Sequence, residues 1–141
     1  MDIRPITPDF AASPQISVAD VATAAAQGYR TLICNRPDGE EPGQPDWAAI
    51  EAAAKAAGME TFFLPVSNAV GLTLDTVEGF EAALASAPKP VLAYCRSGTR
   101  STMAWGVASA ATTDPDTLVE AASKFGYDLN GLRPAMDSRR A

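Results

Sequence analysis

The chain has 141 residues, of which 47% are hydrophobic and 20% charged, and its formal net charge is −6. That is enough chain to bury one core, with the composition of an ordinary globular protein; the acidic balance argues against a nucleic-acid partner, which needs a basic face to neutralise phosphates. Histidine is absent, which removes Cys-His and Ser-His catalysis and the commonest zinc ligand, so no metal and no other cofactor is expected.

No stretch approaches the roughly 18 uninterrupted apolar residues of a membrane span. Met1-Asp2-Ile3-Arg4-Pro5 lacks the basic-then-apolar build of a secretory signal. The expectation is one domain over residues 1–141, cytoplasmic, with no membrane partner. Cys34 and Cys95, the two cysteines, then read as thiols and not as a structural bridge.

In chain order, Pro5, Pro8 and Pro14 punctuate short apolar pieces over residues 3–16, which reads as an edge hairpin or an extended opening segment. Ser17, with Asp20 three residues on, gives a capping-box-like start to a helix through Gln27 that stops at Gly28. Thr31 to Cys34 is the next strand. Its exit, Asn35-Arg36-Pro37-Asp38-Gly39-Glu40-Glu41-Pro42-Gly43, is dense in turn formers and charge and reads as a surface loop. Pro45 opens a second helix, carrying Trp47, Ile50, Ala54 and Ala57 at helical spacing and ended by Gly58. Thr61 to Val66 is a third strand, and a loop from Ser67 to Gly71 leads to Thr73, the N-cap of a helix with Val77, Phe80, Ala83 and Leu84. After Pro90, Val91 to Tyr94 is an apolar run suited to the centre of a parallel sheet. The segment from Thr102 to Ala111 is a packed helix, and Thr113-Asp114-Pro115 starts a last helix ended by Gly126. Residues 127–141 read as a short turn packed around Leu129, Leu132 and Met136, then a frayed basic end.

Strands alternating with helices at this pitch predict an α/β fold, a mostly parallel central sheet with helices on both faces. Ligands in such sheets bind beyond the carboxyl ends of the strands. There the exits Asn35-Arg36, Ser67-Asn68 and the Cys95 loop converge. Cys95-Arg96-Ser97-Gly98-Thr99-Arg100-Ser101 joins the central strand to a helix N-terminus, so backbone N–H groups and the helix dipole aim at one point and favour an anion. The same field should hold Cys95 as a thiolate at the mouth of the loop, a nucleophile activated without a histidine. Arg100 is the anion clamp; Arg96 either joins it or points to solvent. Ser97, Gly98 and Thr99 chiefly supply backbone donors, glycine permitting the turn. Arg36, Asp38 and Glu41 either border the pocket or form a solvated charged turn. Trp47 and Trp105 read as core.

The loop Cys95 to Ser101 resembles the active-site loop of single-domain rhodaneses, which are sulfurtransferases. From Ile6 through Ser101 the order of elements resembles the dual-specificity type of the protein-tyrosine-phosphatase fold. Taken together, nearly the whole chain, Asn35-Arg36-Pro37-Asp38-Gly39-Glu40 and the cysteine loop above all, is similar to a bacterial family of phosphatase-like proteins. Members stand alone or fused to a metallo-β-lactamase-like hydrolase, and they are labelled either as phosphatase domains or as sulfur transferases. The resemblance implies Cys95 and Arg100 as catalytic, Ser101 as an aid to hydrolysis in a phosphatase, and a metallo-β-lactamase-like hydrolase as a partner. It also implies a redox role for Cys34, which in some such phosphatases captures the oxidised nucleophile; otherwise Cys34 is a packed strand residue.

Three departures from the phosphatase pattern favour sulfur transfer. Arg100 is five positions after Cys95 where phosphatases have six, which narrows the cradle for a phosphoryl group. Tyr94 stands where they carry histidine. The loop from Ser67 to Gly71, which holds their general acid, offers Asn68, a pocket-rim residue that cannot donate a proton as an acid does. The leading expectation is therefore a sulfurtransferase carrying a persulfide on Cys95, fed by a small anionic sulfur donor and emptied by a thiol acceptor. The alternative is a phosphatase that hydrolyses phosphomonoesters through a phosphocysteine. A third is a catalytically weak module that binds an anion or a partner.

Overall fold

Alternation along the strands decides how this molecule is layered. The computed structural model describes residues 1–140. Its sheet has five strands in the order β1-β2-β5-β3-β4: β1 (Arg4–Thr7), β2 (Phe10–Ser13), β3 (Thr31–Cys34), β4 (Glu60–Phe63) and β5 (Val91–Tyr94). Only β1, antiparallel to β2, departs from the parallel pattern. Successive side chains point to opposite faces. Leu32, Cys34, Leu92 and Tyr94 therefore join one core with Val21 and Ala24 of α1 (Val18–Ala26) and with Trp47, Ile50 and Ala54 of α2 (Trp47–Ala56). Ile33, Val91 and Ala93 join the other, with residues of α3 (Leu74–Ser86), α4 (Thr99–Ser109), α5 (Pro115–Ser123) and α6 (Arg133–Ser138).

β5 is the central strand and all four of its residues are buried, as its unbroken apolar run requires. The hairpin divides differently from the expected edge. β1, which contains Pro5, takes the edge, while proline-free β2 lies inside the sheet against β5. The capping box of α1 is present in full: Ser17 Oγ accepts from the Asp20 N–H, and Asp20 accepts from the Ser17 N–H. Helix α2 begins later than Pro45 suggests. Asp38, from the preceding loop, caps it by accepting the Trp47 N–H at 2.8 Å. Strand β4 is shorter than the predicted 61–66, because Pro65 has no N–H to donate and Val66 turns towards the site.

Helix α4 runs through the second core with eight of its residues buried, on every side, and small residues (Ser101, Thr102, Ala104, Gly106, Ala108) make up most of those eight. Gly106 lets Leu129 approach, since a Cβ there would come within 2.8 Å of Leu129 Cδ1. The C-terminal end is a correction. Residues 130–132 form a 3₁₀ turn, α6 follows it, and Arg139 donates to Glu81 at 2.7 Å, so this stretch is docked and not frayed. Among the described residues no helix is long and apolar enough to cross a membrane.

Candidate active site

Strand β5 delivers Cys95 to the carboxyl edge of the sheet. There the Cys95 N–H reaches the Ser13 carbonyl at 3.4 Å, and the Asn35 N–H bonds the Tyr94 carbonyl at 2.8 Å. The chain then reverses through Gly98, whose φ of +90° is open only to a residue without a Cβ. Gly98 caps α4, its carbonyl accepting the Thr102 N–H and hydroxyl at 3.0 and 2.8 Å. Its own N–H turns inward and donates to Cys95 Sγ at 3.1 Å. The thiol lies on the floor of the loop, 0% exposed, and not at its mouth. Arg96, Ser97 and Thr99 face outward. Arg96 is 4.0 Å from Glu41 and its side chain is 69% exposed, so it takes the solvent side of its two readings.

Arg100 is buried and already partnered. Its Nη1 donates to Glu40 Oε2 and to the Val66 carbonyl, and its Nη2 to Glu40 Oε1, each at 2.7 Å. Three of the five guanidinium N–H groups are thus used. The Nε–H and the second Nη2–H, along one side edge, have no hydrogen bond within the described residues, and two such donors match the oxygens of an oxyanion. The bonds from Arg100 hold the Glu40 carboxyl down to about 2, against burial and with help from Arg36. Glu40 pushes the Arg100 titration up in return, and Cys95 lies close enough to add to that rise. Ser101, in the first turn of α4, is fully buried and its hydroxyl has no partner among the described residues.

The charged loop after β3 lies on the surface as expected, with residues 38–43 exposed, but Arg36 at its start does not. Arg36 is neither rim nor solvated turn: it is 1% exposed and donates to Glu40 at 2.8 Å, to Glu41 at 3.0 Å and to Gln15 at 3.0 Å. Burial alone would weaken its charge, but the two carboxylates outweigh that and its titration rises. The loop stays at the surface, but Arg36 beneath it holds the Glu40 carboxylate where it meets Arg100. Asn68 is exposed on the turn after Ser67 and makes no hydrogen bond to the cysteine loop among the described residues. Cys34 is buried, its thiol donating to the Arg36 carbonyl at 3.3 Å, and burial pushes its titration up. Cys34 and Cys95 are both free thiols.

Two residues that sequence reasoning passed over support the loop from outside. The Tyr127 hydroxyl donates to the Ser97 carbonyl at 2.9 Å and accepts from Arg4 Nη1 at 2.7 Å. Burial pushes that hydroxyl up, so it stays protonated and able to donate. A cavity of about 430 Å³ between Phe10, Leu84, Trp105 and Leu118 lies at the amino end of the parallel strands, away from Cys95.

The family described as "Beta-lactamase hydrolase-like protein, phosphatase-like domain" matches residues 2–112. The chain belongs to that family. A beta-lactamase hydrolase-like protein of Agrobacterium fabrum is 44% identical over 86 residues, covering 61% of this chain and 20% of the relative. The chain spans between a fifth and a quarter of the length of the curated relatives it matches. Among solved structures, one from Neisseria meningitidis Z2491, described as a putative phosphatase, is 37% identical and covers 99% of both chains with a TM-score of 0.81. PTPMT1 shares the fold at 14% identity, covering 98% of this chain and 96% of its own, with a TM-score of 0.75. The fold is thus that of the dual-specificity type of protein-tyrosine phosphatases, and the beta-lactamase hydrolase-like family supplies its phosphatase-like character. Tyr127 lies beyond the 2–112 stretch that the family match covers.

Proposed function

We propose that this chain is a cysteine-dependent phosphatase acting on phosphomonoesters, in place of the sulfur transfer that the loop sequence first suggests. The observation that carries the reading is the division of Arg100. Glu40 and the Val66 carbonyl hold three of its N–H groups, while the side edge is left for two equatorial oxygens of a phosphoryl group near Cys95. Kinship with phosphatase-like proteins supports the same choice.

In this mechanism the Cys95 thiolate attacks phosphorus; the S–P bond forms as the P–O ester bond breaks, and the alcohol leaves with a proton from solvent. Water then attacks the phosphocysteine, releasing inorganic phosphate and restoring the thiolate. The inward N–H of Gly98, the α4 dipole and the Arg100 edge stabilise the charge on the transferring group. Ser101, with its unclaimed hydroxyl, stands in the first turn to orient the thiolate or the water. Without a carboxylic acid on the 67–71 turn, substrates whose leaving group needs little protonation, aryl phosphates above all, are favoured.

Release of p-nitrophenol from its phosphate by the wild type, lost in Cys95→Ser and Arg100→Lys, with a phosphorylated Cys95 peptide after acid quench, is the expected result. No phosphate release, beside thiocyanate formed from thiosulfate and cyanide, would overturn it in favour of the second reading. That reading has its own support in the five-position spacing from Cys95 to Arg100 and in Asn68. There the thiolate would take the outer sulfur of thiosulfate, break its S–S bond, release sulfite and pass the sulfur to cyanide or a thiol. A metallo-β-lactamase-like hydrolase, in the same polypeptide or separate, is the proposed protein partner.

A further inference from the structure

The peptide between Ser97 and Gly98 has its two ends tied in opposite directions. Its N–H points inward to Cys95 Sγ at 3.1 Å, and its carbonyl points outward to the Tyr127 hydroxyl at 2.9 Å and towards Arg4 Nη1 at 3.5 Å. In a trans peptide these two groups are antiparallel, so fixing the oxygen fixes the N–H. Glycine resists rotation of this unit least of all residues, and a flip would turn the carbonyl dipole onto the sulfur. We propose that Tyr127, held by Arg4, is a positioning residue that locks this peptide and thereby keeps the Gly98 N–H aimed at Cys95 Sγ.

The brace is built from both ends of the chain. Gly126, at φ +83°, ends the turn after α5 and lets the Tyr127 N–H return to the Ala122 carbonyl at 3.2 Å, which sends the ring under the loop. Tyr127 is 6% exposed and packs directly on Gly98: a Cβ at that glycine would meet its hydroxyl, with Cζ at 3.1 Å. On the far side Asp2 holds Arg4 at 2.6 Å, and the guanidinium carbon sits 5.5 Å from the Tyr127 ring centroid, within cation–π range. The titratable groups close to Cys95 are Arg100 from α4, Cys34 from β3 and Tyr127 itself. Glu40 lies behind Arg100 and Arg96 faces solvent. Of these contacts, only the hydroxyl of Tyr127 reaches the sulfur through the backbone.

This inference rests on Cys95 being the nucleophile and is tested by alkylation, not by turnover. The rate at which iodoacetamide labels Cys95 is followed by peptide mass spectrometry at about pH 6 and about pH 9.5, and the ratio of the two rates cancels differences in access. In wild type that ratio should exceed the glutathione ratio at least tenfold. In Tyr127→Phe it should fall about tenfold, the loss confined to the lower pH, and Arg4→Met should lower it in the same direction. Mere loosening of the fold would instead speed labelling at both pH values. An unchanged ratio in both variants overturns the inference while leaving the nucleophile in place. A wild-type ratio equal to that of glutathione overturns the nucleophile itself.

Discussion

Glu40 and Arg100, sixty positions apart, share two hydrogen bonds of 2.7 Å each, and this pair sets the geometry on which the proposed chemistry depends. The folded Glu40 carboxyl titrates at about 2 against an ordinary 4.5. A depressed carboxyl contributes stability that is whole above the unfolded value and is lost as pH falls through the folded one. Discounted for solvent screening at an exposed position, Glu40→Gln should cost on the order of 1 kcal/mol at neutral pH, and the difference from wild type should shrink as pH falls from about 4.5 towards 2. Urea denaturation of both proteins across that window measures it. A difference that stays constant with pH would mean the carboxylate charge does not carry the effect.

Gly98 faces two demands at once, a φ of +90° and contact with Tyr127. Gly98→Ala should destabilise the protein by roughly 2–4 kcal/mol, from the left-handed backbone and from overpacking together. Adding Tyr127→Phe removes the hydroxyl that a Cβ would strike. The double variant should then be more stable than Gly98→Ala alone, though still below wild type because the backbone cost remains. Thermal unfolding of the four proteins closes the cycle, and strict additivity of the two changes would exclude the contact.

The strand, loop and helix around Cys95 were legible because each has a local cause: an apolar run, a glycine and a helix start. So was the Ser17–Asp20 cap, whose partners are three residues apart. Glu40 was not, although the loop that carries it was marked as charged. Arg36 pairs with Glu40 and Glu41 within the loop itself, but the bond from Arg100 to Glu40 spans sixty residues, and no local pattern announces it. Tyr127 left no trace for a similar reason, since its partner is a backbone carbonyl thirty residues away. The six-residue α6 buries only Met136, too little to show a helical period. The rhodanese-like spacing of the loop was visible and suggested sulfur chemistry, but the surrounding fold belongs to a phosphatase-like family. Loop length alone does not decide the reaction.

Asn68 provides a test of the leaving-group argument. It is exposed on the turn that begins where Val66 meets Arg100, and the proposed phosphatase reading puts a general acid on that turn. Asn68→Asp should raise kcat for alkyl phosphates on the order of tenfold or more, with little change for p-nitrophenyl phosphate. The wild type should show a steep fall in kcat as the leaving alcohol becomes more basic, and the variant a shallower one. Equal slopes in the two proteins would remove this turn from the catalytic step.

Cys34 sits opposite Tyr94 in the β3–β5 register, one step short of Cys95 on the neighbouring strand. A strand spacing of about 4.8 Å and a rise of about 3.3 Å put the two Cα atoms roughly 6 Å apart, inside the disulfide range, but Cys34 shares its sheet face with Tyr94, so the Cys95 loop must shift for the two sulfurs to meet. Peroxide oxidises the Cys95 thiolate to a sulfenic acid; attack by Cys34 then forms the S–S bond and expels water. Burial pushes the Cys34 thiol up, so its attacking thiolate is scarce at neutral pH and the closing step should be slow there and quicken as pH rises. Non-reducing peptide maps after a peroxide pulse at two pH values would show a Cys34–Cys95 peptide accumulating faster at the higher one. Two free thiols, or over-oxidised Cys95 with Cys34 intact at both, would leave Cys34 as a packing residue of β3 alone.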